Sequence, residues 1–219
     1  MPTMTSSWVT PNRLEAPDIA GLVCLEPLAA HHARELYVVA DPSLFRHSMQ
    51  GPPEWSARGF EMELEKTLSL PNVVAFAIVL KRKSGGLPAG HAVGRTTFMD
   101  IREPHRGLEI GRTWIGRMFH STRVNPEAKY LMFRHAFETL SPTALRVQIT
   151  TNGANIHSQR AIEKLGAVRE GVLRNARVMP PWHDRTESLV QNWVYYSILA
   201  EEWSNVKSRL EKRLSEMPL

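Results

Sequence analysis

Short apolar segments alternate along the chain with segments of helical periodicity, which is the pattern of a mixed α+β protein. Clusters of β-branched and aromatic residues between turn residues predict strands at residues 22–26, 73–81, 91–100, 108–115, 146–151, 168–178 and 187–197. Apolar residues three or four positions apart predict helices at residues 29–40, 56–70, 125–140 and 155–164 and at the C-terminus. The chain has no internal repeat, so we expect one folded unit.

Two of the predicted helices have clear start signals. Asn125 is expected to cap the longer one, with Pro126 at its first position and Glu127 in its first turn. Asn155 and Ser158 open the shorter one, in the sequence NIHS. Both predicted helices directly follow a predicted strand or its turn.

Length and composition suit a single domain. With 219 residues, of which 42% are hydrophobic, the chain can bury one sizeable core. Residues 1–20 are polar and punctuated by proline, and we expect them to form a flexible arm. The predicted organisation is therefore an arm at 1–20, one domain at 21–203 and a helical extension at 204–219.

Composition also narrows the class of protein. The single cysteine, Cys24, lies in an apolar run, which predicts a buried, inert thiol and a cytoplasmic location. No stretch approaches the ~18 apolar residues of a membrane span, and the nine histidines do not follow a metal-binding spacing, so neither a membrane nor a metal is expected. The net charge of +5 suits an anionic partner, which could be nucleic acid, an acidic protein or a polyphosphate cofactor.

The candidate chemistry lies after the strand at 108–115. A polar loop, residues 120–125, leads from that strand into a helix, whose N-terminus exposes unpaired N–H groups and the positive end of its dipole and can bind a pyrophosphate. An ordinary capped loop would have the same sequence. Glu109 is a candidate base, because withdrawal from water raises a carboxyl pKa; the alternative is a surface carboxylate paired with Arg95 or Arg112.

Three segments carry a resemblance to a known family: LEIGRTWIG (108–116), RMFHSTRVNPEAK (117–129) and RVQITTNGANIHSQRAIEKLGA (146–167). Together they resemble the GNAT superfamily of acyl-CoA-dependent N-acyltransferases, most closely its RimJ/RimL-like branch. The resemblance implies a GNAT fold, which is a central, mixed, mostly antiparallel sheet of about six or seven strands flanked by helices. It also implies acetyl-CoA, or another short acyl-CoA such as succinyl-CoA, as the donor.

The resemblance implies a set of CoA-binding residues: Trp114, Ile115, Gly116, His120, Ser121, Thr122, Arg123, Val124, Asn125, Asn155 and Ser158. The family's loop signature is Q/R-x-x-G-x-G/A, and the chain departs from it. His120 occupies the first position, Arg123 replaces the first glycine and Asn125 the final small residue. Arg123 places a β-carbon where the family has close backbone approach, but it also brings a cation that could face phosphate.

Catalytic roles follow from the same resemblance. Glu109 would deprotonate the amine, backbone amides near Ile115 would stabilise the oxyanion, Ser158 would protonate the leaving thiolate, and Asn155 would orient the pantetheine arm. The tyrosine acid of many relatives is replaced by Ile162. The alternative for Asn155 and Ser158 is capping alone. His157 and residues 182–184 (WHD) are further candidates, for proton transfer and for covering the acceptor.

The acceptor and the acyl group stay open. Relatives modify small amines, protein N-termini or lysines, and arginines near the site (Arg95, Arg112 and Arg123) leave room for a carboxylate-bearing acyl group such as succinyl. A homo-oligomer is expected, with the last strand and the C-terminal helix as apolar surface. The sequence is compatible with two other functions: a catalytically inactive CoA-binding regulatory module, and nucleic-acid binding, which the dispersed basic residues do not favour.

Overall fold

A computed structural model describes residues 8–10, 12–16, 21–181 and 186–218. Its strands are β1 (Val23–Pro27), β2 (Val74–Leu80), β3 (Ala92–Arg102), β4 (Gly107–Ile115), β5 (Arg146–Asn152), β6 (Val168–Met179) and β7 (Leu189–Leu199). Its helices are α1 (Ala33–Val39), α2 (Ala57–Leu68), α3 (Val124–Arg134), α4 (Ile156–Glu163) and α5 (Trp203–Glu216). Every strand and helix predicted from the sequence is present, with ends that differ by a few residues.

The seven strands form one sheet in the order β1-β2-β3-β4-β5-β7-β6. All neighbouring pairs are antiparallel except β4 and β5, which are parallel. This confirms the predicted mixed, mostly antiparallel sheet between helices. The first four strands follow each other as a meander, and the chain then crosses over through α3 to start β5.

Two apolar clusters pack on opposite faces of the sheet. The larger lies between the sheet and helices α3 and α5, and includes Phe98, Leu108 and Ile110. The smaller lies between the sheet and helices α1 and α2, and includes Phe60 and Trp114. Because successive side chains of a strand point to opposite faces, the residues between these core positions, Glu109 among them, face α1 and α2.

Helix α3 starts two residues before the predicted position. Its first residue is Val124 and its N-cap is Arg123, so the prediction that Asn125 caps the helix is wrong. The hydroxyl of Thr122 accepts a hydrogen bond from the Val124 N–H at 3.3 Å, which replaces the expected asparagine cap. Pro126 is tolerated one turn in because the first helical N–H groups have no partner inside a helix. Residues His135–Thr139 extend the helix as a π-helical turn.

The two ends of the chain both contact the domain. In the N-terminal segment, Trp8 and Leu14 are buried in the larger cluster, and Trp8 Nε1 donates to the Pro142 carbonyl at 2.7 Å. The apolar stripe of α5, including Trp203 and Leu210, is buried in the same cluster, so this stripe covers the sheet of its own chain. The division into arm, domain and extension stays a prediction. Within the described residues, no helix is long and apolar enough to cross a membrane.

Candidate functional site

Strands β4 and β5 diverge part of the way along the sheet. Their parallel pairing covers three residue pairs and ends where Glu109 meets Gln148. Beyond this point β4 continues along β3 to Ile115, and β5 continues along β7 to Asn152. We call the resulting opening the β4–β5 split. The loop before α3 follows one strand and α4 follows the other, so both helices begin at the mouth of the split.

Glu109 lies at the closed end of the β4–β5 split and is 7% exposed. The Gln148 amide donates to its Oε2, and the Thr150 hydroxyl donates to its Oε1, each at 2.8 Å. The Trp193 indole N–H donates to the same Thr150 oxygen at 2.9 Å, which fixes the direction of the hydroxyl. A β-carbon at Gly111 would lie 2.5 Å from Met99 Sδ and 3.2 Å from Glu109 Oε1, so the glycine makes room for the Met99 side chain beside the carboxylate.

Burial raises the pKa of Glu109, and the hydrogen bonds from Gln148 and Thr150 lower it, with a net rise. The carboxylate form is stabilised by two donors, yet it has lost most of its water. A group in this state is a stronger base than an exposed glutamate. Its hydrogen-bond partners are Gln148 and Thr150, whereas the alternative predicted from the sequence was a pairing with Arg95 or Arg112.

The loop before α3 exposes its polar residues at the mouth of the split. His120 and Ser121 are exposed, and Ser121 has a positive φ of 62°. Thr122 donates to the Phe119 carbonyl at 2.7 Å and caps α3, which anchors the loop to the buried Phe119. The turn at Ser121 directs the chain so that the first turn of an 11-residue helix points its N–H groups outward.

Arg123 does not present its charge at the loop surface. Its guanidinium is 4% exposed and donates through Nε to Glu127 Oε2 at 2.8 Å and through Nη1 to the Met217 carbonyl at 3.3 Å. The other Glu127 oxygen accepts from the Val23 N–H at 3.0 Å. The cation that the sequence suggested for phosphate is therefore turned into the protein, and this loop offers backbone N–H groups and small hydroxyls.

Helix α4 starts beside this loop. The rings of His120 and His157 stack with centroids 5.7 Å apart and an interplanar angle of 21°, which brings the two helix starts together. Asn155 is the N-cap of α4 and its Oδ1 accepts from the Ser158 N–H at 3.0 Å. Ser158 is half-buried, and no hydrogen bond of its hydroxyl is found among the described residues. Ile162, at the position of the family tyrosine, is buried in the core.

Two arginines lie on the same sheet face as Glu109. Arg95 is 2% exposed and donates to Glu63 Oε1 at 2.5 Å. Arg112 is half-buried, in a backbone conformation with φ of 51°, where the register of β4 against β3 shifts. Burial lowers the pKa of Arg112 to about 10, and the charge of Arg95 contributes to the same shift. Both guanidiniums thus sit in a poorly solvated region.

An aromatic wall and a cleft complete this side of the sheet. Trp114 packs against Phe45 and Phe60, with ring centroids 5.5 and 6.1 Å apart. A cleft of about 220 Å³ lies near α2, lined by Ser48, Met49, Gln50, Gly51, Pro53, Glu63, Lys66 and Pro180. Residues 182–184, which the sequence suggested as a cover for the acceptor, lie outside the described residues. No group of metal-ligating side chains is found in the described part of the chain.

Sequence reasoning missed the partners that hold Glu109. Gln148 and Thr150 alternate in β5 with Val147 and Ile149, which are buried in the core. This alternation was a usable signal, because two polar residues at period two mark one polar face. The pairing of β4 with β5, which joins them to Glu109, could not be read from local sequence.

Comparison with known proteins gives the same fold and a family. The model of the acetyltransferase (GNAT) domain matches residues 23–168. A protein from T. thermophilus, assigned as an acetyltransferase, is 38% identical, with a TM-score of 0.79 over 94% of this chain and 99% of that chain. A GCN5-related N-acetyltransferase from Brucella melitensis is 24% identical, with a TM-score of 0.80 over 95% of this chain and 88% of that chain.

RimJ from Mycobacterium smegmatis, solved in complex with CoA-disulfide, is 18% identical, with a TM-score of 0.69 over 93% of this chain and 95% of that chain. No curated protein matches the chain in sequence. The last two structures are below 25% identity and carry the fold alone. The domain match covers more than half of the chain, and the T. thermophilus protein is 38% identical over nearly all of it. The chain therefore belongs to the GNAT acetyltransferase family.

Proposed function

We propose that this protein is an acyl-CoA-dependent N-acyltransferase that moves an acetyl group from CoA to a primary amine by direct attack in a ternary complex. One observation carries the proposal: Glu109, buried and held by two hydrogen bonds, stands at the closed end of a split whose mouth holds two helix starts. A base at one end and anion-binding groups at the other match a donor with a reactive thioester and a distant pyrophosphate.

The residues present fit acyl-CoA as a substrate. The edge of β4 that faces the β4–β5 split pairs with no strand beyond Glu109 in the described part of the sheet, so its backbone groups are available to an extended pantetheine arm. Trp114, Ile115 and Gly116 lie at the end of this edge. Loop residues 120–125 would hold the pyrophosphate through backbone N–H groups and hydroxyls, because Arg123 faces inward.

In the proposed reaction Glu109 removes a proton from the ammonium group, and the free amine attacks the thioester carbon. A C–N bond forms and the C–S bond breaks, while backbone N–H groups near Ile115 stabilise the oxyanion. Ser158 gives its proton to the leaving thiolate and takes up in turn the second proton that the acylated nitrogen loses. Asn155 holds the helix start that positions Ser158. Cys24, the free cysteine, is buried and has its pKa raised to about 11, which argues against a covalent intermediate.

For the acyl group and the acceptor we propose chemical classes and not single compounds. Acetyl is the default of the family, and succinyl is a second donor that the arginines on the Glu109 face would accommodate. The acceptor is a primary amine, either of a small molecule or of a protein N-terminus or lysine. We also place the protein in the RimJ/RimL-like branch, because of the sequence NPEAK and of Ser158 with Ile162. A cytoplasmic location is part of the same proposal.

A catalytically inactive CoA-binding module is the second candidate. It is favoured by two observations: Ile162 is a buried core residue where relatives have a tyrosine acid, and Arg123 is committed to Glu127. Such a module would bind CoA without turnover.

Self-association is also proposed, through the β6–β7 hairpin. Because α5 is packed on its own core, the hairpin is the better surface. Six large apolar side chains are between 39% and 58% exposed there: Val168, Val172, Leu173, Val178, Leu189 and Val190. Light scattering of the purified protein, compared with Leu173→Asp, tests this: a monomeric wild type would overturn it.

Isothermal titration with acetyl-CoA, succinyl-CoA and CoA, followed by assay of free thiol release with a panel of amines, tests the main proposal. Micromolar binding of an acyl-CoA with amine-dependent thiol release is the expected result. Binding without release on any amine would favour the inactive module, and no binding to any of the three would overturn both. A Ser158→Ala variant should lose about tenfold or more in kcat. The control is Ser204→Ala, at an exposed position of α5, which should keep the wild-type kcat.

A further inference from the structure

The sheet face beneath α2 holds more buried hydrogen-bond donors than acceptors. Arg95 uses Nη2 for Glu63, while its Nε and Nη1 are buried without a partner among the described residues. The Nε and Nη1 of Arg112 are buried without a partner in the same way. Glu63 also accepts from Thr67 at 3.1 Å, so its Oε1 is already shared. Four guanidinium nitrogens therefore lack an acceptor.

These donors lie close together. Arg112 interacts electrostatically with both Arg95 and Glu63, and Arg95 is paired across the strands with Trp114. The Trp114 Nε1 is also buried without a partner in the described structure. Side chains opposite each other on neighbouring strands have β-carbons about 5 Å apart, so the Trp114 ring starts beside Arg95 on the same face. Glu63, which accepts from Arg95, lines the cleft described above together with Lys66, whereas Arg95, Arg112 and Trp114 lie behind Glu63 and do not line it.

Buried donors without partners are rare in folded proteins, because each costs the free energy of its lost hydration. Of the nine buried side-chain atoms without a partner among the described residues, five belong to Arg95, Arg112 and Trp114, which makes this group the strongest candidate for a ligand that supplies acceptors. Two guanidiniums against the single Glu63 carboxylate leave one excess positive charge, and one further carboxylate would neutralise it. A planar carboxylate also fits the fork of a guanidinium in a bidentate manner, whereas a phosphate would bring nearly twice the needed charge.

We infer that Arg95, Arg112 and Trp114 form a carboxylate-binding subsite, which selects a substrate that carries a carboxylate near the reacting group. Glu63 holds Arg95 in place, so Arg95 is the rigid donor of the subsite. The half-buried Arg112 is the second donor and binds the ligand carboxylate from the other side. The inference rests on the proposed acyl transfer and narrows its substrates. The carboxylate comes either from the acceptor, as in an amino acid, or from a dicarboxylic acyl group, as in succinyl-CoA.

Along β4, Arg112 is three residues from Glu109, which corresponds to roughly 10 Å between their α-carbons. Both side chains lie on the face towards α2, with the Met99 side chain over Gly111 between them. The subsite therefore requires a substrate that spans this distance past Met99, with its amine or its thioester at Glu109 and its own carboxylate at the arginines.

Binding measurements test the subsite independently of turnover. For the donor, the wild-type protein is titrated with succinyl-CoA and with acetyl-CoA. For the acceptor, the CoA-saturated protein is titrated with glycine, β-alanine and L-leucine, each against its carboxamide. The expected result is a preference for the carboxylate of about 10- to 100-fold in Kd on one of the two arms, and that arm identifies the source.

The Arg112→Gln variant should lose this preference, and Arg112→Lys should recover part of it, because lysine keeps the charge without the bidentate fork. Trp114→Phe keeps the ring packing and removes one donor, so it should lower the preference by about fivefold even if Arg112→Gln fails to fold. Arg58→Gln, an exposed arginine of α2 paired with Glu61, is the matched control and should leave the preference unchanged.

Equal affinity for carboxylates and their uncharged partners on both arms would overturn the subsite. So would a preference that survives both Arg112→Gln and Trp114→Phe. If carboxylates are preferred but no thiol is released with any amine, the subsite stands and the proposed acyl transfer fails. If thiol is released equally with carboxylates and carboxamides, the proposed transfer stands and the subsite fails.

Discussion

Two buried arginine–glutamate pairs, on opposite faces of the sheet, differ in how completely they are satisfied. Arg123 and Glu127 are 4% and 2% exposed, and Arg123 reaches Glu127 and the Met217 carbonyl while Glu127 also accepts from a backbone N–H. Arg95 and Glu63 are 2% and 4% exposed, yet Arg95 has one hydrogen bond and two nitrogens without a partner among the described residues. The two pairs are equally buried. Burial alone therefore does not distinguish a pair whose hydrogen bonds are complete from one that has donors left for a ligand.

The two faces of the sheet differ in the same way as the two pairs. The face under α3 and α5 is closed by the larger apolar cluster, and Lys129 donates there to Thr113 and Thr96, whereas the Nε2 of His135 is buried without a partner among the described residues. The face under α1 and α2 carries Glu109 and the arginines beside a cleft. We expect substitutions on the closed face to change stability and substitutions on the open face to change activity.

The largest effect is expected for Glu109→Gln, on the open face. Loss of the base should lower kcat/KM by about 10²- to 10⁴-fold. The acid limb of the wild-type pH–rate profile should lie above the ordinary glutamate pKa, because burial raises the pKa of Glu109, and this limb should be absent in the variant.

Stability gives the second readout for Glu109→Gln. A raised carboxyl pKa favours the protonated form in the folded state, so its contribution to stability is present below the unfolded pKa and is lost as pH rises through the folded pKa. At neutral pH the variant should therefore be at least as stable as the wild type in urea unfolding. A large loss of stability together with activity would erase the distinction between the faces.

On the closed face, Glu127→Gln should lower the free energy of unfolding by about 3–5 kcal/mol, because it removes the carboxylate to which the buried Arg123 Nε donates. Urea unfolding measures this. The control is Glu61→Gln, whose partner Arg58 is 64% exposed; such a surface pair contributes less than about 1 kcal/mol. Equal effects of the two variants would contradict the importance of the Arg123–Glu127 pair.

Lys129 provides a sharper test of the closed face, since it is a buried charge without a carboxylate partner among the described residues. Its Nζ donates to Thr113 and Thr96 at 2.5 and 3.3 Å, and burial lowers its pKa from 10.5 to about 7. Between these two values the unfolded chain binds more protons than the folded one, so wild-type stability should rise with pH through this range.

Lys129→Met removes the free-energy cost of burying a charged amine. The variant should therefore be about 1–4 kcal/mol more stable than the wild type near pH 7 and below. The difference should narrow as the pH approaches 10.5. Thermal unfolding across this range measures it. A difference that does not change with pH would mean that Lys129 keeps its ordinary pKa.

The smallest effect separates capping from catalysis. Asn155→Ala and Ser56→Ala each remove an N-cap, of α4 and of α2, and each should cost about 1 kcal/mol of stability. If Asn155 also positions Ser158, kcat should fall in the first variant and not in the second. Equal activity of the two would leave Asn155 as a cap alone.

Local sequence patterns predicted the elements of this fold because each strand carries its own apolar periodicity. They failed where a distant residue decides the outcome. Arg123 reads as a surface cation in its loop, and it is the buried Glu127 and the Met217 carbonyl, 94 residues away in the chain, that turn it inward. The positive φ of Arg112 and the register shift around it have no local signal, although they place a second guanidinium beside Arg95.

The candidate site was likewise predictable only where the signal lies in the local sequence. Glu109, Asn155 and the loop at 120–125 could be found by family resemblance, and their roles stay predictions. Gln148 and Thr150 come from a strand that pairs in parallel with β4 after a long crossover, and nothing in residues 108–115 indicates them.

The three residue pairs between β4 and β5 have a mechanical consequence. The half of the sheet built from β1 to β4 and the half built from β5 to β7 each keep their own antiparallel hydrogen bonds if this short seam loosens. Widening the seam therefore breaks fewer hydrogen bonds than any other deformation across the sheet, and such regions open at low free energy. The proposed active centre lies at this seam, so a small parting of the two half-sheets would widen the centre without unfolding either of them.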